Sequence, residues 1–114
     1  MKTTVSSQGE FSVVAIEGKV VRENQQELRT LLEDLVSDGA KRIVLNLEAV
    51  EYMDSAGLGC CAAVKKQMSN DGDASMAVFG ASQNIEKMWG LIRLDLVIPT
   101  FPDAEAAMEH LAAH

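Results

Sequence analysis

The residues best suited to chemistry lie in one short stretch, 51–61, which reads EYMDSAGLGCC. Its serine, Ser55, could be a nucleophile, a phosphate acceptor or the cap of a helix. A nucleophilic serine needs a base within hydrogen-bond reach and a third group that orients the base. The two histidines, His110 and His114, lie at the far end of the chain, and the glycines do not form a GxSxG elbow. A catalytic serine is therefore not predicted.

The two cysteines and the acidic turn at residues 71–73 do not indicate a metal or redox site. Cys60 and Cys61 are adjacent, and neither a CxxC pair nor a histidine cluster accompanies them. We interpret both as small core residues, with one facing inward and the other nearer the surface. Asp71 and Asp73 flank Gly72, and two acids in a turn fall far short of a calcium loop. No metal and no cofactor are predicted.

Charge and hydropathy limit the class of partner. The 114 residues include 17 acids and 10 lysines or arginines, for a net charge of −7. Binding nucleic acid through its phosphates requires a basic face, so no nucleic-acid partner is predicted. No apolar run approaches the ~18 residues of a membrane span, and residues 1–10 are too polar for a signal peptide. We expect a cytoplasmic protein without membrane insertion, formed by one domain over residues 1–114.

Strand and helix patterns alternate along the chain after an initial hairpin. β-branched runs predict strands at 3–8, 11–17, 42–47, 74–79 and 96–101. Apolar residues at helical spacing predict helices at about 23–38, 56–69, 82–91 and 102–113. Gly18 is expected to end the second strand, and Pro99 indicates an edge position for the last one. The order ββαβαβαβα predicts an α/β fold with a mixed, mainly parallel sheet of about five strands and about four helices.

Ser55 falls where the third strand and its loop give way to the second helix. As an N-cap its hydroxyl would accept a hydrogen bond from an amide two or three residues on, with Asp54 as a turn former. As a phosphate acceptor it would lie at the positive end of the helix dipole, beside free amides. Gly57 and Gly59 would leave the hydroxyl open to another protein. The start of this helix is therefore a predicted docking surface.

Two pairs of large apolar residues could belong either to the core or to a partner surface. Tyr52 and Met53 are placed in the loop before Ser55, and we expect one to point inward and the other to extend the docking surface. Met88 and Trp89 could mark a partner surface. Because such a stripe at helical spacing usually belongs to the core, we predict core positions for both.

The segment 43–65, IVLNLEAVEYMDSAGLGCCAAVK, resembles the STAS family and, within it, the bacterial anti-sigma factor antagonists. That family carries an LxLxxVxxxDS[SA]GLG pattern in which a strand leads into a helix. The positions in register are Leu45, Leu47, Val50, Asp54, Ser55, Gly57, Leu58 and Gly59. The resemblance extends in weaker form over nearly the whole chain.

This resemblance implies a switch rather than an enzyme. In the family, the unphosphorylated antagonist binds a kinase-type anti-sigma factor and so frees a sigma factor. The kinase phosphorylates the serine with ATP, the complex dissociates, and a phosphatase resets the system. Carried over to this chain, Ser55 is the phosphorylation site and Asp54 its neighbouring acid. The implied partner-binding residues are Asp54, Ser55, Ala56, Gly57, Leu58 and Gly59.

One departure from the family pattern leaves other hypotheses open. Many antagonists carry an acid shortly after the second strand, in a GxLD-like stretch, whereas residues 18–22 read GKVVR and place Val21 there. A second hypothesis is therefore a STAS subunit of a signalling scaffold or a transporter-associated complex without a Ser55 switch. A third is a small enzyme or nucleotide-binding protein, although the chain lacks a P-loop and a dinucleotide-binding glycine pattern.

Overall fold

One sheet organises the fold in the computed structural model, which describes residues 1–70 and 73–113. The predicted turn residues Asp71 and Gly72, and His114, lie outside the described residues. In the described part, five strands follow sequence order across the sheet: β1 Lys2–Gln8, β2 Phe11–Val20, β3 Arg42–Met53, β4 Ser75–Phe79 and β5 Thr100–Phe101. β1 is antiparallel to β2, and every other pair is parallel. The predicted α/β class and mixed, mainly parallel sheet are confirmed.

The helices lie on both faces of this sheet. They are α1 Gln25–Ser37, α2 Ser55–Met68, α3 Gln83–Leu91 and α4 Ala104–Ala113, with a short 3₁₀ turn at Leu94–Leu96. Because β2 to β5 follow one another in the sheet, right-handed crossovers place α1, α2 and α3 on one face. α4 packs against β3, β4 and β5 from the other face. Among the described helices, none has the length and apolar character needed to cross a membrane.

Alternate residues of the strands supply two apolar cores, one beneath each helical layer. On β3, Leu45 faces the larger core under α1, α2 and α3, whereas its neighbour Val44 faces the smaller core under α4. Trp89 is completely buried in the larger core, and its indole N–H donates to the Ile98 carbonyl at 2.9 Å. Met88 is half-buried against the same core. The predicted core position of Trp89 is confirmed.

Two strands are longer than the sequence predicts. The sequence predicts that β2 ends at Gly18 and β3 at Leu47, but the strands continue to Val20 and Met53. Gly18 adopts a positive φ of 92° where the register between β2 and β3 shifts, so it kinks the strand without ending it. The two extensions pair with each other in parallel. Mutual pairing therefore overrides the weak strand propensity of both segments.

The last strand is shorter than the sequence predicts. Only Thr100–Phe101 forms strand, because the chain at Leu94–Leu96 makes a 3₁₀ turn after Arg93, whose φ of 62° is left-handed. Pro99 lies just before β5 and contributes its carbonyl, which accepts the Val78 amide at 3.0 Å. The edge position of β5 agrees with the interpretation of Pro99.

Candidate functional site

Asp54, the residue between β3 and α2, is the N-cap of the helix. Its backbone is extended, with φ −92° and ψ −176°, and one carboxylate oxygen accepts the Gly57 amide at 3.0 Å. The prediction of Ser55 as the cap is therefore wrong, and Asp54, predicted as a turn former, takes that role by binding the backbone ahead of it. A carboxylate at this position accepts a hydrogen bond from the same otherwise unpaired amide as a hydroxyl would. Its negative charge also interacts favourably with the positive end of the helix dipole. Ser55 is consequently the first residue of α2, with an exposed side chain.

The second oxygen of Asp54 joins the site to the preceding loop. It accepts the backbone amide of Arg22 at 3.0 Å, and the Asp54 amide donates to the Val20 carbonyl at 3.1 Å. The pKa of Asp54 is lowered, and the largest cause is the hydrogen bond from the Gly57 amide. Desolvation opposes this effect, whereas the backbone amides of Arg22 and Ala56 and the positive charge of Arg22 lower the pKa further. Asp54 is therefore ionised at neutral pH and ties the start of α2 to the loop before α1.

The side chain that hydrogen-bonds this loop is Asn24. Position 21, where many antagonists carry an acid, is occupied by Val21. The Asn24 side chain accepts the Val21 amide at 2.9 Å and donates to the Lys19 carbonyl at 2.9 Å. Sequence reasoning missed both Asn24 and Arg22 as parts of the site. Asparagine just before a helix is a recognisable cap signal that could have identified Asn24. No local signal points to Arg22, because its bond to Asp54 spans 32 residues of sequence.

Gly57 is required by packing inside the molecule. It is buried, and a Cβ at this position would lie 2.7 Å from Cγ of Met53 and 2.8 Å from the carbonyl oxygen of Val20. The glycine therefore lets α2 begin directly against the ends of β2 and β3. This differs from the expectation that Gly57 keeps the serine hydroxyl accessible.

The six predicted docking residues differ in exposure. Gly59 is exposed, and a Cβ there would meet no atom within 4 Å. Leu58 is only 5% exposed and belongs to the larger core. The surface at the start of α2 is therefore formed by the exposed or partly exposed members, which are Asp54, Ser55, Ala56 and Gly59.

Residues beside Ser55 divide between core and surface. Met53 is fully buried and Tyr52 is 51% exposed, so the prediction of one inward and one outward side chain is confirmed, although both lie on β3 rather than in a loop. Cys60 and Cys61 are both buried, which confirms two core cysteines and corrects the expectation that one lies nearer the surface. Burial raises the pKa of the Cys60 thiol to about 11 and also raises the pKa of Cys61. Both thiols are therefore protonated at neutral pH.

The described histidine is not positioned to activate Ser55. His110 lies on α4, where its ring packs against Phe101 with 5.1 Å between ring centroids. α4 and α2 pack on opposite faces of the sheet. Among residues 1–70 and 73–113, no group of three or more histidine, cysteine or acidic side chains could hold a metal ion.

Comparison with known proteins identifies the family. The STAS domain family matches residues 2–107 of this chain. The chain is 32% identical over 89 residues to the anti-sigma-B factor antagonist of Staphylococcus aureus (strain NCTC 8325 / PS 47), an alignment that covers 78% of this chain and 82% of the relative. It is 28% identical over 85 residues to that of Staphylococcus epidermidis, covering 75% and 78%. Both relatives are named antagonists of an anti-sigma factor, which agrees with the prediction that the chain is not an enzyme.

Solved structures share the fold. An anti-sigma factor antagonist from Mycobacterium paratuberculosis matches with a TM-score of 0.89 and 23% identity, over 97% of this chain and 93% of that chain. The phosphorylated form of the Bacillus cell fate determinant SpoIIAA matches with a TM-score of 0.74 and 17% identity, over 96% and 99%. At these identities the likeness shows the fold alone. The match of the family over residues 2–107 shows that this chain belongs to the STAS domain family.

Proposed function

We propose that this chain is an anti-sigma factor antagonist that binds a kinase-type anti-sigma factor while unphosphorylated and is released by phosphorylation at Ser55. The partner class comes from the staphylococcal relatives, which are named antagonists of an anti-sigma factor. The observation that carries the switch is the position of Ser55, exposed at the first residue of α2 beside the ionised Asp54. The proposed activity takes place in the cytoplasm, where sigma factors act, and a phosphatase would restore the binding form.

The proposed docking surface consists of Asp54, Ser55, Ala56 and Gly59, and the other two predicted docking residues, Gly57 and Leu58, lie beneath it. Ser55 and Gly59 are four residues apart and so lie on the same face of α2. Because Gly59 is exposed and a Cβ added there would meet nothing outside its own helix turn within 4 Å, another protein can come close to the helix one turn beyond the hydroxyl. The buried Gly57 and Leu58 hold this face against the sheet from beneath.

Phosphorylation would change the charge of this surface without unfolding it. A phosphate adds about −1.5 to −2 charges at pH 7 and three acceptor oxygens. It would lie next to the ionised Asp54 carboxylate, which already accepts the Gly57 amide. The negative phosphate would therefore lie beside an existing negative charge. Ser55 is exposed, so the free domain has room for the group. Inside a tight interface the same group would bring repulsion and desolvation, which favours release over refolding.

The test is phosphorylation and binding in a purified system. The chain is incubated with a kinase-type anti-sigma factor and ATP, and phosphate is located by mass spectrometry. We expect phosphate on Ser55, none on Ser55→Ala, and unchanged phosphorylation of Ser82→Ala, because Ser82 is a similarly exposed serine at the start of α3. Ser55→Asp should lower affinity at least about tenfold, which corresponds to ~1.4 kcal/mol.

Two results would contradict the proposed switch. One is the absence of phosphate at Ser55 when the kinase is active on a known substrate. The other is a Ser55→Asp variant that binds as tightly as the unchanged chain. A stable large assembly that is unaffected by either Ser55 variant would instead favour the scaffold or transporter-associated hypothesis.

A further inference from the structure

Exposed large apolar side chains cluster at one corner of the molecule. Among the described residues, six large hydrophobic side chains are exposed, and Val5 on β1 lies apart from the others. The remaining five, which we call the apolar corner, are Tyr52 (51% exposed), Leu91 (73%), Ile92 (54%), Leu96 (71%) and Val97 (50%). Tyr52 and Leu91 line one groove, and α3, which carries Leu91, contacts the 3₁₀ turn that carries Leu96. Exposed apolar surface of this kind is typical of interaction sites in soluble proteins.

A groove runs into the apolar corner between the end of β3 and α3. It has a volume of about 340 Å³, and Tyr52 on the strand and Leu91 on the helix both line it. Met53, Ile85 and Met88 add further apolar lining. The groove therefore offers an apolar slot beside exposed apolar side chains.

The charged residues of this groove balance each other. Glu51 lines the strand side and Lys87 lines the helix side. A second groove, of about 410 Å³ between β1 and α1, is lined by three acids, Glu27, Asp34 and Asp38, and by no basic residue. Two copies of a chain with net charge −7 would repel each other through the acidic groove. At the apolar corner they would not, because Glu51 and Lys87 give each copy one charge of each sign, and the exposed Arg93 and Asp95 add one more of each.

We propose that the apolar corner binds a second copy of this chain in a two-fold homodimer. A two-fold contact uses the same surface on both copies, so Lys87 of each copy would face Glu51 of the other while Leu91 enters the opposing groove. The small size of the patch predicts a modest affinity, with a dissociation constant of about 1–100 µM. Formation of this dimer requires only the chain itself and does not depend on the anti-sigma role.

The test is sedimentation velocity of the purified full chain from about 1 to 200 µM, a range that brackets the expected dissociation constant. We expect a concentration-dependent dimer. Leu91→Glu and Leu96→Glu should each raise the dissociation constant at least about tenfold. Val5→Glu is the matched control, because it places the same charge on an exposed apolar residue far from the corner, and it should dimerise as the unchanged chain does. Circular dichroism confirms that each variant is folded.

A charge exchange tests the orientation of the two copies. Lys87→Glu should weaken the dimer, and combining it with Glu51→Lys should restore association, since the pair is then reversed on both copies. Monomers throughout the concentration range would overturn the proposal, as would equal effects of Val5→Glu and Leu91→Glu. If all variants stay monomeric but Leu91→Glu loses affinity for an anti-sigma factor, the corner binds that protein instead and the dimer is refuted.

Discussion

Asp54 connects three parts of the site through its own hydrogen bonds. Its carboxylate accepts the Gly57 amide at the start of α2 and the Arg22 amide in the loop before α1, and its own amide binds Val20 at the end of β2. Each carboxylate bond favours the ionised form, so the pKa of the group is lowered. Ser55 therefore depends on its neighbour for position, although Ser55 itself would carry the phosphate.

The lowered pKa of Asp54 predicts a defined pH dependence. Its ionised form stabilises the fold fully above the unfolded value of 3.8, and this contribution is lost as pH falls through the lower folded pKa. Asp54→Asn keeps a capping side chain without the charge. We expect the variant to be less stable than the unchanged chain in urea at pH 7, and the difference to shrink below about pH 4. A difference that grows with acidification would contradict this account.

The start of α2 is fixed by its contact with two strand ends. β2 and β3 extend together to Val20 and Met53, and both residues contact the position where a Cβ of Gly57 would lie. The Val20 contact involves a backbone carbonyl, which cannot move without disturbing the sheet. The exposed Gly59, four residues from Ser55, faces no such restriction.

Alanine substitutions at these two glycines should have opposite effects. Gly57→Ala forces a Cβ against Val20 and Met53, and we expect a loss of about 1–3 kcal/mol in the free energy of unfolding. Gly59→Ala adds a methyl group in open space and removes a helix-weakening residue, so it should gain about 1 kcal/mol. Urea denaturation followed by circular dichroism measures both. Equal effects of the same sign would show that the contact with the strand ends does not restrict which side chain fits at the start of α2.

At the scale of the whole molecule, one sheet separates two cores and two helical layers. The larger core under α1, α2 and α3 contains Trp89, and the smaller core under α4 contains Phe79 and Leu111. Neighbouring residues of β3 contribute to both, so neither core persists without the sheet. This shared strand supports the expectation that residues 1–114 fold as one domain.

One cooperative unfolding transition is the corresponding prediction. Trp89 is the single tryptophan and reports on the larger core, whereas far-ultraviolet circular dichroism reports on all helices and strands. We expect the two signals to give the same urea midpoint, as for a small two-state domain. A fluorescence midpoint clearly below the circular dichroism midpoint would show that the α3 region unfolds separately.

Local patterns in the sequence determined the fold class, the order of elements and the segment that contains the site. Period-two and helical spacings identify five strands and four helices because side chains alternate across a strand and recur along one helix face. The motif around Asp54 and Ser55 placed the candidate site at the start of α2. These features depend on residues close together in the chain, which is why the sequence alone reveals them.

Only the tertiary structure decided which residue performs which role. Pairing between β2 and β3 extended both strands beyond their local propensity and carried Tyr52 and Met53 out of the predicted loop. Asp54 rather than Ser55 became the cap, and Gly57 proved to be a packing requirement. The contact between Arg22 and Asp54 and the groove between β3 and α3 join distant segments. Such contacts arise from sheet register and helix placement, which no local spacing encodes.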